Sequence, residues 1–247
     1  MQIPTVSVQG GGQGNTGYQV QLPTLPKLTE PLLDTPQSIN VIPRELMNDQ
    51  GVSTVADALR NVPGISLGAG EAGFTGNNLT IRGFAARNDF YLDGMRDFGS
   101  YYRDPFDLED IEVLKGPASI LFGRGSTGGV INQVTKRPLL APLTNFTTAI
   151  GTDGTYRFTS DINRPIEGIS NSAVRLNLMG NLNGIAGRDD AEYRRFGFAP
   201  SVAFGIGTPT RLIQGLVAAG RRDLTVVTND TAFPGTGVGE LIAARLV

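Results

Sequence analysis

Asp110-Ile-Glu-Val-Leu-Lys-Gly-Pro-Ala-Ser-Ile-Leu-Phe-Gly-Arg-Gly-Ser-Thr-Gly-Gly-Val-Ile-Asn-Gln-Val-Thr-Lys-Arg-Pro138 decides the fold. It opens as an alternating strand, with Ile111, Val113 and Lys115 on one side and Glu112 and Leu114 on the other. Gly116-Pro117 stops that strand, and Ala118 to Phe122 can form a short helical turn. Gly123, Gly125, Gly128 and Gly129 then precede a second β-rich run, Val130 to Thr135. Glycines add no apolar area and raise the entropy cost of folding, so four in seven residues serve backbone geometry rather than packing. The segment reads as a tight strand-turn-strand made to fit inside something.

Outward from there, further short motifs accumulate. Upstream stand Asp34-Thr35-Pro36-Gln37-Ser38-Ile39, Val55-Ala56-Asp57-Ala58-Leu59, Val62-Pro63-Gly64-Ile65, Ile81-Arg82-Gly83-Phe84 and Tyr91-Leu92-Asp93-Gly94. Taken with LKGPAS and GGVINQVTKRP in this order, the string closely resembles the plug domain of TonB-dependent outer-membrane receptors, and within them the ferric-siderophore branch. A glycine-rich turn alone would fit any loop; an ordered set of motifs over about a hundred residues does not.

Composition narrows the alternatives. The 247 residues carry 21 basic and 23 acidic side chains, which gives no nucleic-acid footprint. Cysteine and histidine are both absent, excluding disulfides, Cys or His metal sites and catalysis that needs either residue. With 33 glycines and 15 prolines, frequent turns and short strands are expected. No apolar run reaches the length of a membrane-spanning helix. Met1 to Val8 has neither the basic nor the apolar region of a signal peptide, so the chain reads as a mature form or a fragment.

In order, residues 1–30 are polar and glycine-rich and are expected to be extended and mobile. Within them Pro4, Thr5, Val6, Ser7 and Val8 form a β-prone run able to add to a partner's sheet. The resemblance makes it a TonB box; without a plug downstream it would read as a frayed terminus. The resemblance implies that residues 31–138 form the plug domain, expected as an α+β unit with a small mixed sheet and short helices. Thr35 to Ile42 is a strand with an edge proline, Pro43 opens a short helix, and Gly51 closes it. Ser53 is expected to cap a helix through Asn61 whose face is Val55, Ala58, Leu59 and Val62, all core. Ile65 begins a strand, Gly68, Gly70, Gly73 and Gly76 mark an excursion, and Leu79 to Arg82 returns as a strand. Phe90 to Arg96 is a hairpin turning at Asp93-Gly94.

Residues 139–212 change character. Phe146 and Ile150; Tyr156, Phe158 and Ile162; Val174, Leu176 and Leu178; and Phe196, Phe198, Val202 and Phe204 each alternate with polar or small residues. About four strands of this kind, apolar on one face, match the antiparallel transmembrane strands of an incomplete barrel, although a soluble sandwich would alternate too. Four strands leave open edges and cannot enclose a plug, so this length of chain is not expected to transport alone. Beyond Thr210 a helix over Leu212, Leu216 and Ala219 is expected, then a parallel-type strand Leu224 to Thr228 and the loop Pro234 to Gly239. Residues 213–247 resemble a fragment of a CoA-transferase alpha subunit, implying an unrelated α/β tail joined near residue 212. No catalytic residue can be carried over from that resemblance.

The plug resemblance implies a gate in the cell outer membrane. Its partners would be TonB with the inner-membrane energising complex, outer-membrane lipid and a ferric siderophore. The iron travels inside its chelator, so no cofactor or protein metal ligand is implied. An anionic chelate asks for a cationic fork and aromatic walls. Arg82 is one candidate, its alternative being an ion pair between plug and barrel. Phe98, Tyr101, Tyr102 and Arg103, in the aromatic loop after the Asp93-Gly94 turn, are the others. Glu112, Lys115, Arg124 and Lys136 read as charge contacts inside the plug or with the barrel wall. Three functions stay open: a siderophore receptor, or one for another cargo such as cobalamin; a soluble plug-like binding or signalling module; and an enzyme resting on the tail alone.

Overall fold

The computed structural model describes residues 18, 20, 23–25, 28, 30–68, 78–99, 101, 103–123, 127–152, 154–185, 188–208, 211–225 and 241–246. The chain forms two compact units, Met1–Arg103 with Glu109–Val134, and Asp104–Leu108 with Thr135–Val247.

In the first unit β1 (Ser38–Pro43) leads into α1 (Arg44–Asp49), where Pro43 is the N-cap rather than the first helical residue. The second helix, α2 (Val55–Leu59), is shorter than its pattern predicts and is capped by Thr54, not Ser53. Thr54 Oγ1 accepts from the Asp57 amide at 3.0 Å, while Ser53 Oγ donates to the Asp57 carboxylate at 3.3 Å. Either hydroxyl could cap; the extended backbone at Thr54 decides. Val55, Ala58, Leu59 and Val62 are buried, as their spacing predicts.

Next come β2 (Ile65–Leu67), β3 (Leu79–Ile81) and β4 (Phe84–Ala85), an antiparallel three-stranded sheet. The strands β5 (Phe90–Leu92), β6 (Met95–Arg96), β7 (Leu108–Lys115) and β8 (Gly129–Thr135) join β1 in a mixed sheet ordered β1-β7-β8-β5-β6. Between β7 and β8, α3 (Ser119–Phe122) is the helical turn expected after Gly116-Pro117. Gly129, at φ 142° and with Leu114 O 2.2 Å from where a Cβ would stand, is a position only glycine can fill. Almost all of β7 is buried, Lys115 and Glu112 included, so both of its faces are covered. Part of the stretch expected to be mobile is packed: Leu25 is 5% exposed and clusters with Tyr91, Leu114, Ala118 and Val130.

The second unit is an antiparallel sheet of six strands: β9 (Leu143–Gly151), β10 (Thr155–Pro165), β11 (Ala173–Ile185), β12 (Arg188–Phe204), β13 (Leu212–Thr225) and β14 (Leu241–Leu246), paired in chain order. The first four are the alternating runs. The helix expected over Leu212 to Ala219 does not form; those residues lie in β13, paired antiparallel to β12 from Phe204↔Leu212 to Ala191↔Thr225. Leu224 therefore belongs to an antiparallel strand, not a parallel one, and β14 adds a sixth. The i, i+4 spacing of Leu212 and Leu216 places them on one face of a strand as well as of a helix, and the ladder offered by β12 resolves the ambiguity.

One face of this sheet is apolar and open: Phe146, Ile150, Tyr156, Phe158, Phe196 and Phe198 are 41–74% exposed. The other is polar and covered. Asp161 receives Arg175 at 2.8 and 2.7 Å and Lys136 at 3.1 Å. The 3-10 turn Pro105–Asp107 sits on this face, where Phe106 packs with Met179 and Ala199. Asp104, just before it, takes a two-pronged contact from Arg157 at 2.8 and 2.6 Å and a longer one from Arg195 at 3.5 Å.

Candidate ligand-binding loop

The hairpin β5–β6 projects the loop that carries most of the candidate residues. Asp93 and Gly94, at φ 48° and 83°, make the two-residue turn between the paired Leu92 and Met95. Such left-handed pairs match the twist of a hairpin, which is why Asp-Gly occupies the position.

Beyond β6 the chain is held by one carboxylate. Asp97 Oδ2 accepts from the Tyr101 hydroxyl at 2.7 Å and from Arg103 Nε at 3.0 Å and Nη2 at 2.8 Å. Asp97 Oδ1 accepts from the Gly99 amide at 3.1 Å, and Arg103 Nη2 also donates to Gly99 O at 2.7 Å. A Cβ at Gly99 would stand 2.6 Å from the Tyr101 ring, so glycine lets the loop close over the aromatic. The Arg103 guanidinium lies 4.3 Å from the Phe90 ring centre and 4.4 Å from that of Tyr101. Arg103 is 5% exposed, and its carbonyl accepts from the Val55 amide at 2.9 Å, which ties the loop base to α2.

Phe98 contrasts with this anchored base, being 75% exposed. Beneath it lies Arg96, whose guanidinium carbon is 5.3 Å from the Phe98 ring centre. Arg96 donates to Asn88 O at 2.9 Å and to the buried Asp89 carboxylate at 3.3 Å. Burial pushes the Asp89 carboxyl above its ordinary range, and Arg96 pulls it partly back. Arg96 is the residue sequence reasoning missed. Its only signal was a cation just after an Asp-Gly turn and next to an exposed aromatic.

Tyr101 and Arg103 are thus brought together on Asp97, with Phe98 alongside above Arg96. Arg82 lies elsewhere, on the turn between β3 and β4, exposed and at φ 51°. Its amide donates to Gly64 O at 2.7 Å. Burial, and then the Arg82 charge, lower the Lys115 ammonium below its usual range. Among the described residues no carboxylate pairs with Arg82 or Lys115. Tyr102, Arg124 and Pro4 to Val8 lie outside the described residues.

A buried polar chain runs from the hairpin turn across the sheet. The Gly94 amide donates to Asn132 Oδ1 at 2.8 Å, and Asn132 Nδ2 donates to Glu112 Oε2 at 2.9 Å. Glu112 Oε1 in turn accepts from the Thr24 amide at 2.5 Å, and Thr24 Oγ1 donates to Asp110 at 3.2 Å. Glu112 is 0% exposed and Asn132 1%. Hydrogen bonds to a buried carboxylate resist rearrangement, because each donor left unmet pays full desolvation.

Comparison with known proteins shows what this chain is similar to. Residues 31–130 match the TonB-dependent Receptor Plug Domain. The chain is 44% identical over 218 residues to the probable TonB-dependent receptor BfrD of Bordetella pertussis, covering 87% of this chain and 29% of that protein. It is 41% identical over 198 residues to the catecholate siderophore receptor Fiu of Escherichia coli K12, covering 79% and 26%. The crystal structure of the siderophore receptor PiuA from Acinetobacter baumannii superimposes with a TM-score of 0.78 at 39% identity, over 85% of this chain and 30% of that one. The chain therefore spans less than a third of the length of the curated relatives it matches.

Proposed function

We infer that this chain, whose residues 31–130 are a TonB-dependent receptor plug domain, carries the plug and leading barrel strands of an outer-membrane receptor for ferric siderophores. The reading is supported most directly by the loop at 96–103, where an exposed Phe98 rests on Arg96 and a clamped Tyr101 stands on Arg103. Aromatic faces backed by guanidinium charge suit a flat, anionic iron–catecholate, whose iron is already saturated by its chelator. Phe98, Tyr101 and Tyr102 would touch the chelate and Arg96 would supply charge. Arg103, held by Asp97, would fix the loop, and Arg82 would offer a second cation from the β3–β4 turn. No catalytic residue and no resident cofactor enters this reading.

Pro4 to Val8 would add as a strand to TonB on the periplasmic side. The Gly94–Asn132–Glu112–Thr24 chain supports a route by which strain at the hairpin reaches the N-terminal segment. We also retain the division into residues 1–30, 31–138, 139–212 and 213–247 as a proposal, with β13 and β14 continuing the strand series in the last part.

The test is a titration of the 247-residue chain, folded in detergent, with a ferric tris-catecholate. Saturable quenching of tyrosine fluorescence that weakens in Phe98→Ala is the expected result. Saturation by cobalamin but not by the ferric chelate would move the cargo to the alternative class. A stable monomer without detergent would instead favour the soluble module.

A further inference from the structure

The apolar face of the six-stranded sheet has a gap in it. Phe158, Gly180 and Phe196 share one cross-strand row, Phe158↔Gly180 on β10–β11 and Gly180↔Phe196 on β11–β12. A Cβ at Gly180 would meet nothing within 4 Å, so crowding does not require glycine there. Glycine inside a strand weakens it, and often marks a place where a ligand or another backbone comes close. The gap is a notch floored by backbone and walled by two phenylalanines that are 41% and 56% exposed. The adjacent row is Tyr156↔Leu182↔Arg194, which sets an aromatic ring and an exposed cation at one end of the notch.

We propose that this notch binds an anionic lipid, one acyl chain lying on Gly180 between Phe158 and Phe196 and the phosphate meeting Arg194. The inference rests on the proposed membrane setting of the sheet and adds a defined site to it. The chemistry matches at both ends. An apolar groove one side chain deep suits a methylene chain, since dispersion contacts are lost wherever a wall has no partner atoms. Arginine and tyrosine beside an apolar band are the residue types that settle at headgroup level.

The chain has no tryptophan, so a single introduced one reports without background. Chain carrying Tyr156→Trp is reconstituted in phosphatidylcholine vesicles containing rising fractions of dibrominated phosphatidylglycerol or dibrominated phosphatidylcholine. Half-maximal quenching is expected at an about fivefold lower fraction of the anionic lipid, the scale of one cation acting on an anionic headgroup. The preference should vanish in Gly180→Phe, which fills the notch, and in Arg194→Gln, which leaves it open. A second reporter, Phe204→Trp, at the far end of β12, should show no preference. Equal quenching by both lipids at position 156 would overturn the site while leaving the sheet in the membrane. So would a preference equally strong at position 204, or one that survives both Gly180→Phe and Arg194→Gln. Absence of quenching by either lipid at both reporters would remove the membrane setting and the site with it.

Discussion

Asp97 receives Arg103 through a single oxygen, Oδ2, which takes both Nε at 3.0 Å and Nη2 at 2.8 Å while also accepting the Tyr101 hydroxyl. Both side chains are under a tenth exposed. Removing one partner of such a pair strands the other without water. Arg103→Ala is expected to cost about 3 kcal/mol in thermal unfolding. Arg103→Lys should recover only part of it, since an ammonium cannot supply the planar fork stacked between Phe90 and Tyr101. Ferric-catecholate affinity should fall in both variants, because the loop that presents Phe98 loses its anchor.

Phe98 separates binding from stability. At 75% exposure its truncation to alanine should leave unfolding within about 0.5 kcal/mol of the parent. The same variant should lose roughly tenfold in ferric-catecholate affinity, the order of one aromatic contact. If stability fell and binding held, Phe98 would be a packing residue.

Both carboxylate oxygens of Glu112 accept, Oε1 from Thr24 N and Oε2 from Asn132 Nδ2. Glutamine keeps one acceptor and turns a donor toward the other bond. Glu112→Gln should therefore destabilise by about 2 kcal/mol, and hydrogen exchange at Thr24 or at Gly94 should quicken. Unchanged exchange at both amides would show that the buried chain does not couple the N-terminal segment to the hairpin.

Much of this architecture was legible in the sequence, for identifiable reasons. Phe196, Phe198, Val202 and Phe204 alternate strictly, and their period survives because one face of β12 carries the large apolar side chains and the other carries Arg195, Gly197, Ala199, Ser201 and Ala203. Asp93-Gly94 names its turn because few other pairs tolerate two left-handed residues. Beyond residue 212 the local signal fails. Leu212 and Leu216 fit two periods, and the partner strand that selects one of them is distant information. Arg96 was hidden for a similar reason: the Asp89 carboxylate it pairs with stands seven residues upstream, where no spacing rule links the two.

Two glycines of the six-stranded sheet should answer alanine substitution differently. A Cβ at Gly197, on the covered face, would stand 2.6 Å from the Phe106 ring, whereas one at Gly180, on the open face, meets nothing. Gly197→Ala should lower stability by about 1–3 kcal/mol through overpacking, by displacing the Pro105–Asp107 turn. Gly180→Ala should be neutral or slightly stabilising. Thermal unfolding of the two variants in one detergent decides between a shared glycine requirement and two distinct ones.

The carboxyl of Asp107, at the end of that turn, makes stability depend on pH. Burial raises it from an ordinary value of 3.8 to about 7; nearby Lys136 opposes the rise and Asp104 reinforces it. Between these two values the folded chain keeps a proton that the unfolded chain has released. Stability from this group is therefore greatest below about pH 4, declines as pH rises, and reaches its floor above about pH 7. Asp107→Asn mimics the protonated form at every pH. Its melting temperature should exceed that of the parent by several degrees near pH 8, and the gap should close as pH falls toward about 4. A gap that stays constant across this range would mean that the carboxyl titrates normally and that the variant acts through packing alone.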